Sequence, residues 1–431
     1  MSDSTPQSGS RPKVVVVGAG FAGINAVHQL ARHEVDVTLV DRNNFHTFQP
    51  LLYQVATSYL PPEQVGATIR AVFRKQRNVK VRVGRVDDVD WDERAVVLED
   101  GDRLPYDYLV VAAGATTNFF GISGMEDHAW PLYTMGDAVR LRLHLLEELE
   151  RAAAEPSADL ARQTVVVVGG GPTGVETAGA LAAMGKEHVG GDVDMRVVLV
   201  EALPRLLNTF SEKSGRQALD DLRRRGVEVL LDTAVASADD KGVTFKSGER
   251  IDTRTVVWAA GVQASPLGRA VGVELGKGGS IVVGPDLQVK GHPGVFAAGD
   301  IASISPPPHG TPPPLVAPNA IQQGKHVGRQ IARLGAGEQT EPFSYFDKGS
   351  MAVIARGDAV TEIPVPGLRG RILRVAGLPA WLLWAGVHVV YLIGFRNRVK
   401  TLTDWLWSSL TSSGGGAILV RATRTPKPDV G

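Results

Sequence analysis

Two segments of this chain spell one pattern twice, and that repeat restricts the fold more tightly than any other feature. Residues 13–41 read KVVVVGAGFAGINAVHQLA…VTLVD, and residues 164–201 read TVVVVGGGPTGVETAGALA…VVLVE. In each, a β-branched run meets Gly-x-Gly-x-x-Gly, passes into an apolar-periodic helix and returns as a strand ending in an acid. Gly18 and Gly169 permit the tight turn, Gly20 and Gly171 let backbone approach a pyrophosphate, and Gly23 and Gly174 let helix pack on strand. The amides of Phe21 and Ala22 lie at the positive end of the first helix, facing the phosphates. Asp41 ends the next strand, where a carboxylate accepts from ribose hydroxyls. Glu201 holds the matching place in the second copy, repels a 2′-phosphate and so favours NADH over NADPH.

A second likeness follows each copy. The stretches ending in VVAAG at Gly114 and VVWAAG at Gly261 both show apolar alternation interrupted by a hairpin signal, Asp100-Gly101 or Ser247-Gly248. Each closes on a strand of the fully buried type. A third element, 294–300 (GVFAAGD), is a strand ending in Gly299-Asp300. A proline-dense loop then leads to a helix beginning near Asn319. By itself Asp300 reads as a helix-capping residue in a strand-to-helix turn.

Composition narrows the chemistry. The 431 residues include no cysteine, which excludes disulfides, thiolate zinc sites, iron–sulfur clusters and thiol redox centres. Electron transfer in such a chain needs a bound organic cofactor, and no metal site is expected. The formal net charge is +0, with no global basicity to suit nucleic acid. That balance hides a polarity: residues 367–431 hold nine Lys/Arg against two Asp, a net of +7, which leaves −7 on the rest. Four of the seven tryptophans, Trp381, Trp384, Trp405 and Trp407, fall in the same segment. Residues 1–12 lack an apolar core and read as a disordered tail, not a signal peptide.

Residues 375–395 contain no formal charge and are flanked by arginines at both ends. They include Gly377, Pro379, Gly386 and His388, while Trp381, Trp384, His388, Tyr391 and Phe395 recur at helical spacing. That spacing predicts an interfacial helix with amphipathic rings at the headgroup level, followed by a short helix over 402–410 carrying Trp405 and Leu406. A buried core helix and a spanning helix are the other two readings.

The paired fingerprints, the two Ala-Ala-Gly strands and Gly299-Asp300 resemble flavoproteins with two dinucleotide-binding domains, the first holding FAD and an inserted second holding NAD(P)H. Four stretches resemble more narrowly the type II NADH dehydrogenases, the non-pumping NADH:quinone oxidoreductases: 46–56 (HTFQPLLYQVA), 165–176, 348–352 (KGSMA) and 394–398 (GFRNR). The resemblance implies an α/β fold of two Rossmann-like domains, the second inserted in the first, plus a C-terminal membrane-associating helical module. The implied boundaries are a tail at 1–12, FAD domain at 13–125 and 285–345, NADH domain at 126–284, and membrane module at 346–431.

The same resemblance implies roles by position. Asp41 and His46 lie along FAD, Val86 starts the strand near the adenine, and Asp300 binds the ribityl–phosphate portion. Ala317 opens the helix facing the isoalloxazine and the quinone. The family pattern there is Ala-Gln-x-Ala-x-Gln-x-Gly, but this chain has Pro318 at the first Gln and keeps the second as Gln322. Glu176 reads on its own as an acid complementing a helix dipole in the first turn; the resemblance makes it a proton relay for quinone reduction. Lys348 reads as a surface lysine.

The implied reaction passes hydride from nicotinamide C4 to flavin N5, then two electrons to a membrane menaquinone or ubiquinone, without proton pumping. Glu176 and Gln322 are the catalytic candidates. A monotopic homodimer on the lipid bilayer surface, at the cytoplasmic face of the cell membrane, completes the expectation. A reductase of a ferredoxin-like carrier and an NADH-sensing flavoprotein with a recruitment role are the alternatives. Disulfide reductases and sulfide:quinone oxidoreductases share the double plan but need cysteines beside the flavin.

Overall fold

β-branched strands buried on both faces organise the chain. The computed structural model describes residues 11–154, 160–188, 195–307, 310–365, 367 and 371–411. Most of the expected tail at 1–12, and the chain beyond 411, lie outside the described residues. Two compact units emerge: Met1–Thr47, Gly66–Asn118 and Gly261–Gly349 form the first, and Phe48–Val65, Phe119–Ala260 and Ser350–Gly431 the second.

In the first unit a five-stranded parallel sheet runs in the order Val295–Ala297, Tyr108–Val111, Lys13–Val17, Asp36–Asp41, Val79–Val83. Val14, Val16, Leu39 and Val110 are fully buried, as a sheet covered on both faces requires. The helices Phe21–Leu30 and Ala317–Gly335 belong to this unit, as does an antiparallel meander of Val86–Asp90, Ala95–Leu98 and Arg103–Pro105. Gly101 turns its last hairpin.

The second unit repeats the plan. Its parallel sheet runs Ala129–Pro131, Thr255–Trp258, Thr164–Val168, Arg196–Val200, Glu228–Leu230. A meander of Val235–Asp239, Gly242–Phe245 and Arg250–Asp252 packs on it, and Phe245, Val166, Val198, Val256 and Trp258 share one buried cluster. The helix Pro172–His188 follows the second fingerprint.

The C-terminal part opens with an antiparallel sheet, Ser350–Ala355, Asp358–Pro364 and Ile372–Gly377, before two helices, Leu378–Tyr391 and Phe395–Thr411. The uncharged stretch 375–395 is therefore strand, then helix, then a break at Gly394. Pro379 sits in the first helical turn, where its missing N–H costs no hydrogen bond. The second helix begins at Phe395, seven residues earlier than expected.

The tryptophan part of the aromatic stripe faces inward, contrary to the expectation from spacing, while Phe395 at its end stays exposed. Trp384 is 1% exposed and Trp405 8%; their ring centroids lie 5.2 Å apart, and Trp384 stacks on His388 at 4.3 Å. Large rings bury more apolar area than aliphatic side chains, so the two helices close on them. The side left exposed carries Leu382, Leu383, Val390, Phe395, Leu402, Leu406 and Trp407. Among the described residues, no helix is long and apolar enough to cross a membrane.

Candidate active site

Both glycine loops are built alike to the level of single hydrogen bonds. Gly18 has φ +102° and Gly169 φ +112°; a Cβ at Gly18 would stand 2.3 Å from the Ala112 carbonyl oxygen, and one at Gly169 2.7 Å from that of Ala259. Only glycine fits so close to the neighbouring strand end. At Gly20 and Gly171, by contrast, a Cβ would meet nothing within 4 Å, so the backbone there is open to a ligand. The acids close each loop from the next strand. Ala19 N–H donates to Asp41 Oδ2 at 2.6 Å, and Gly170 N–H donates to Glu201 Oε2 at 2.5 Å. The second oxygen of each takes another amide, Asn43 at 2.7 Å and Leu203 at 2.8 Å. These acids thus shape the loops directly, and each oxygen keeps a lone pair for a ribose hydroxyl.

His46 tests whether the first loop suits a dinucleotide. Its Nδ1 lies 2.8 Å from the Ala19 carbonyl oxygen, which fixes the hydrogen on Nδ1 and leaves Nε2 an acceptor. Burial holds the ring's pKa below the usual histidine range, so it stays neutral. Nε2 is buried with no hydrogen-bond partner among the described residues. A hydroxyl or amide of a bound dinucleotide satisfies such an orphan, and the residues therefore fit FAD. Phe21 meets the His46 ring edge-on at 5.1 Å, and Ala22 and Gly23 are buried in the same helical turn.

The other first-unit candidates fall at element ends. Val86 opens the meander strand, and Asp300 follows the strand Val295–Ala297. Gly299 N–H donates to Gln323 Oε1 at 2.6 Å, an anchoring contact that sequence reading missed. Ala317 is the first residue of its helix, and Pro318 lies in the first turn, where a proline is tolerated. Gln322 spans the Phe346 backbone: Nε2 donates to the carbonyl oxygen at 2.9 Å and Oε1 accepts from the N–H at 2.9 Å. Lys348 is exposed and precedes the strand Ser350–Ala355.

In the second unit, Glu176 is the fifth residue of its helix and not in the first turn, which removes the simple dipole reading. Its Oε1 accepts from Val353 N–H at 3.1 Å. Val353 lies on Ser350–Ala355, the edge strand of its sheet, where alternate amides point away from the ladder. The strand reaches Glu176 because the helix carries Gly179: a Cβ there would stand 1.8 Å from the Ile354 carbonyl oxygen. Burial pushes the Glu176 carboxyl up to about 8, against the single opposing hydrogen bond.

Glu176 faces a recess lined by Tyr53, Gln54, Tyr59, Arg356, Trp381, Trp384 and Trp405. Tyr53 and Gln54 lie on the short buried helix Leu52–Ala56. Gln54 Nε2 donates to Tyr53 Oη at 3.0 Å, and Trp405 Nε1 donates to Gln54 Oε1 at 2.8 Å. Burial, then the nearby Glu176 carboxylate, raises the Tyr53 phenol well above the usual tyrosine range. Tyr53, Gln54 and Trp405 all sat inside noticed segments, but no local pattern marked them as partners.

Two glycine-loop units, one carrying the orphaned His46 acceptor, define a two-dinucleotide oxidoreductase. A model of the family "Pyridine nucleotide-disulphide oxidoreductase" matches residues 12–324. The chain is 40% identical to the type II NADH:quinone oxidoreductase NdhA of Mycobacterium tuberculosis, over 94% of this chain and 89% of the relative. It is 32% identical to a type II NADH:quinone oxidoreductase of Staphylococcus aureus, over 84% and 93%. The fold matches the structure of NDH2 from Plasmodium falciparum in complex with NADH with a TM-score of 0.83, at 21% identity, covering 95% of this chain and all of that one. The chain belongs to the type II NADH:quinone oxidoreductases within the pyridine nucleotide-disulphide oxidoreductase family.

Proposed function

We propose that this protein oxidises NADH and reduces a quinone with FAD as its resident cofactor, moving no proton across a membrane. The observation that carries the reading is the buried Glu176 carboxyl facing a recess of aromatic side chains, in a unit that also holds a glycine loop. FAD supplies the acceptance of hydride and the return of two electrons. Gly18, Gly20, Phe21, Ala22, Gly23, Asp41, His46, Val86, Asp300 and Ala317 hold it in the first domain. Gly169, Gly171, Gly174 and Glu201 hold NADH in the second, with Glu201 selecting against a 2′-phosphate.

The chain's own part is to orient, exclude water and deliver protons. Quinone reduction takes up two hydrogens, and the hydride of NADH brings one with its electron pair. A carboxyl with its pKa near 8 carries the remaining proton at neutral pH and can release it. The recess around Glu176 takes the quinone ring against Trp381 and Trp384. The boundaries at 13–125, 126–284, 285–345 and 346–431 serve as functional domains for FAD, NADH, FAD again and the membrane.

The membrane role rests on the exposed apolar face. Phe395 is 82% exposed, Trp407 65% and Leu406 63%, too contiguous a patch to leave in water without purpose. With Arg396, Arg398 and Lys400 beside it, this face sits at a bilayer surface, binding from one side. The cytoplasmic face is the side on which the proposed enzyme meets NADH. A homodimer accords with the resemblance and is read by light scattering of the detergent-solubilised protein.

The reading is tested with the purified, FAD-loaded protein, NADH and menadione. Turnover of menadione supports it. Rapid FAD reduction with no menadione turnover overturns it in favour of a carrier-protein reductase or a sensor.

A further inference from the structure

The hydrogen bonds around Tyr53 leave only one arrangement. The Trp405 indole has a donor and no acceptor, so the Gln54 atom facing it must be the carbonyl oxygen. The Gln54 amide nitrogen is then the atom facing Tyr53 Oη, and it donates to that oxygen. A hydroxyl that accepts in this way must direct its own hydrogen elsewhere. Tyr53 is 4% exposed, and no acceptor for that hydrogen is found among the described residues. Both Tyr53 and Glu176 line the recess. A second donor lines it too: Trp384 Nε1 is buried with no partner among the described residues. Two buried donors left over in one recess call for a ligand with acceptor oxygens.

Resting on the quinone reading above, we propose that the Tyr53 hydroxyl donates a hydrogen bond to a quinone carbonyl oxygen, and that Gln54 and Trp405 are positioning residues that fix its direction. The chain Trp405→Gln54→Tyr53 makes the phenol a committed donor. A quinone offers two carbonyl oxygens, and the Glu176 carboxyl supplies the proton beside the one that Tyr53 holds. Trp405 thus acts on the substrate's hydrogen bond through two side chains, by fixing the orientation of the Gln54 amide.

Tyr53→Phe keeps the ring and removes only the hydroxyl. Menadione binding is read without turnover, from quenching of tryptophan fluorescence by the oxidised, FAD-loaded protein, since three tryptophans line the recess. FAD reduction by NADH, followed separately, shows that each variant is folded and loaded. Tyr53→Phe is expected to weaken menadione binding about tenfold, the scale of one buried hydrogen bond, and to raise the menadione KM alongside. Trp405→Phe should cost part of that in the native background and nothing further when combined with Tyr53→Phe. Gln54→Met replaces Trp405→Phe in the same cycle should the latter yield no folded protein. Binding within twofold of the native protein for Tyr53→Phe overturns the hydroxyl's role. Equal losses from Trp405→Phe in both backgrounds overturn the positioning chain. A native protein whose FAD is reduced by NADH, but which neither binds nor reduces menadione, overturns the quinone reading itself.

Discussion

Glu176 and Val353, 177 residues apart, are joined by a hydrogen bond of 3.1 Å from the Val353 amide to the Glu176 carboxyl. Packing a helix of one strand–helix unit against the edge of a C-terminal sheet buries this carboxyl, and the burial raises its pKa strongly against the opposing pull of that hydrogen bond. That single contact links the repeated nucleotide-binding fold to the aromatic recess, and most of what can be tested about the site follows from it.

The first expectation concerns pH. The folded Glu176 titrates at about 8, above the 4.5 of an ordinary glutamate, so the native state binds more protons than the unfolded state between those values. Stability from this group is full below 4.5 and declines as pH rises toward 8. Menadione turnover should fall over the same upper limb as the donor ionises. Glu176→Gln should flatten that limb, slow turnover at least tenfold, and raise the melting temperature by a few degrees at pH 8 but not at pH 4.5. Identical pH profiles for native and variant proteins would sink the proton-donor role.

Gly179 sets the approach of the strand Ser350–Ala355. Adding a methyl at a position 1.8 Å from the Ile354 carbonyl oxygen forces backbone apart. Gly179→Ala should destabilise the protein by about 2–4 kcal/mol and lower the apparent pKa on the menadione limb, as Glu176 becomes better hydrated. Thermal unfolding and the pH profile check the two effects; an unchanged melting temperature contradicts the close packing.

Glu201 shapes its loop through Gly170, and the proposed selection against a 2′-phosphate rests on the same carboxylate. Glu201→Gln should raise the NADH KM several-fold while improving NADPH relative to NADH by about tenfold, as like-charge repulsion of a 2′-phosphate disappears. Steady-state kinetics with both nucleotides decide this. An unaltered NADH/NADPH ratio would reduce Glu201 to a loop brace.

Membrane binding should follow the exposed apolar face and not the buried Trp384 and Trp405. Phe395→Glu combined with Leu406→Glu places charge on two of the most exposed apolar residues and leaves the recess untouched. The double variant should lose sedimentation with vesicles containing anionic lipid while still turning over menadione. Removal of everything after residue 370 is a poorer test, because it also strips Trp384 and Trp405 from a buried cluster.

The parallel sheets were legible because local rules and the tertiary fold agree there. Val14–Val17 and Val165–Val168 can only be buried strands, and the glycines after them mark turns that no side chain tolerates. The hairpins at Gly101 and Gly248 were equally plain. Spacing misled at the C-terminus. A helical stripe of Trp381, Trp384 and His388 shows that one face is aromatic, yet says nothing about whether water, lipid or protein covers it. Trp405, arriving from the next helix, covers it.

By itself, then, the sequence determined the two nucleotide-binding units, the acids that close their glycine loops, and a redox chemistry without thiols. A fingerprint is local: its glycines, strand and acid lie close along the chain, so their physical demands appear as spacing. Only the tertiary structure decided that Glu176 meets Val353, that Tyr53 accepts from Gln54 and Gln54 from Trp405, and that Trp384 and Trp405 turn inward. Those outcomes depend on partners hundreds of residues apart, on the free edge of a sheet, and on one glycine that lets a strand approach. Desolvation and hydrogen-bond direction are properties of an enclosed space, and no order of residues states them in advance.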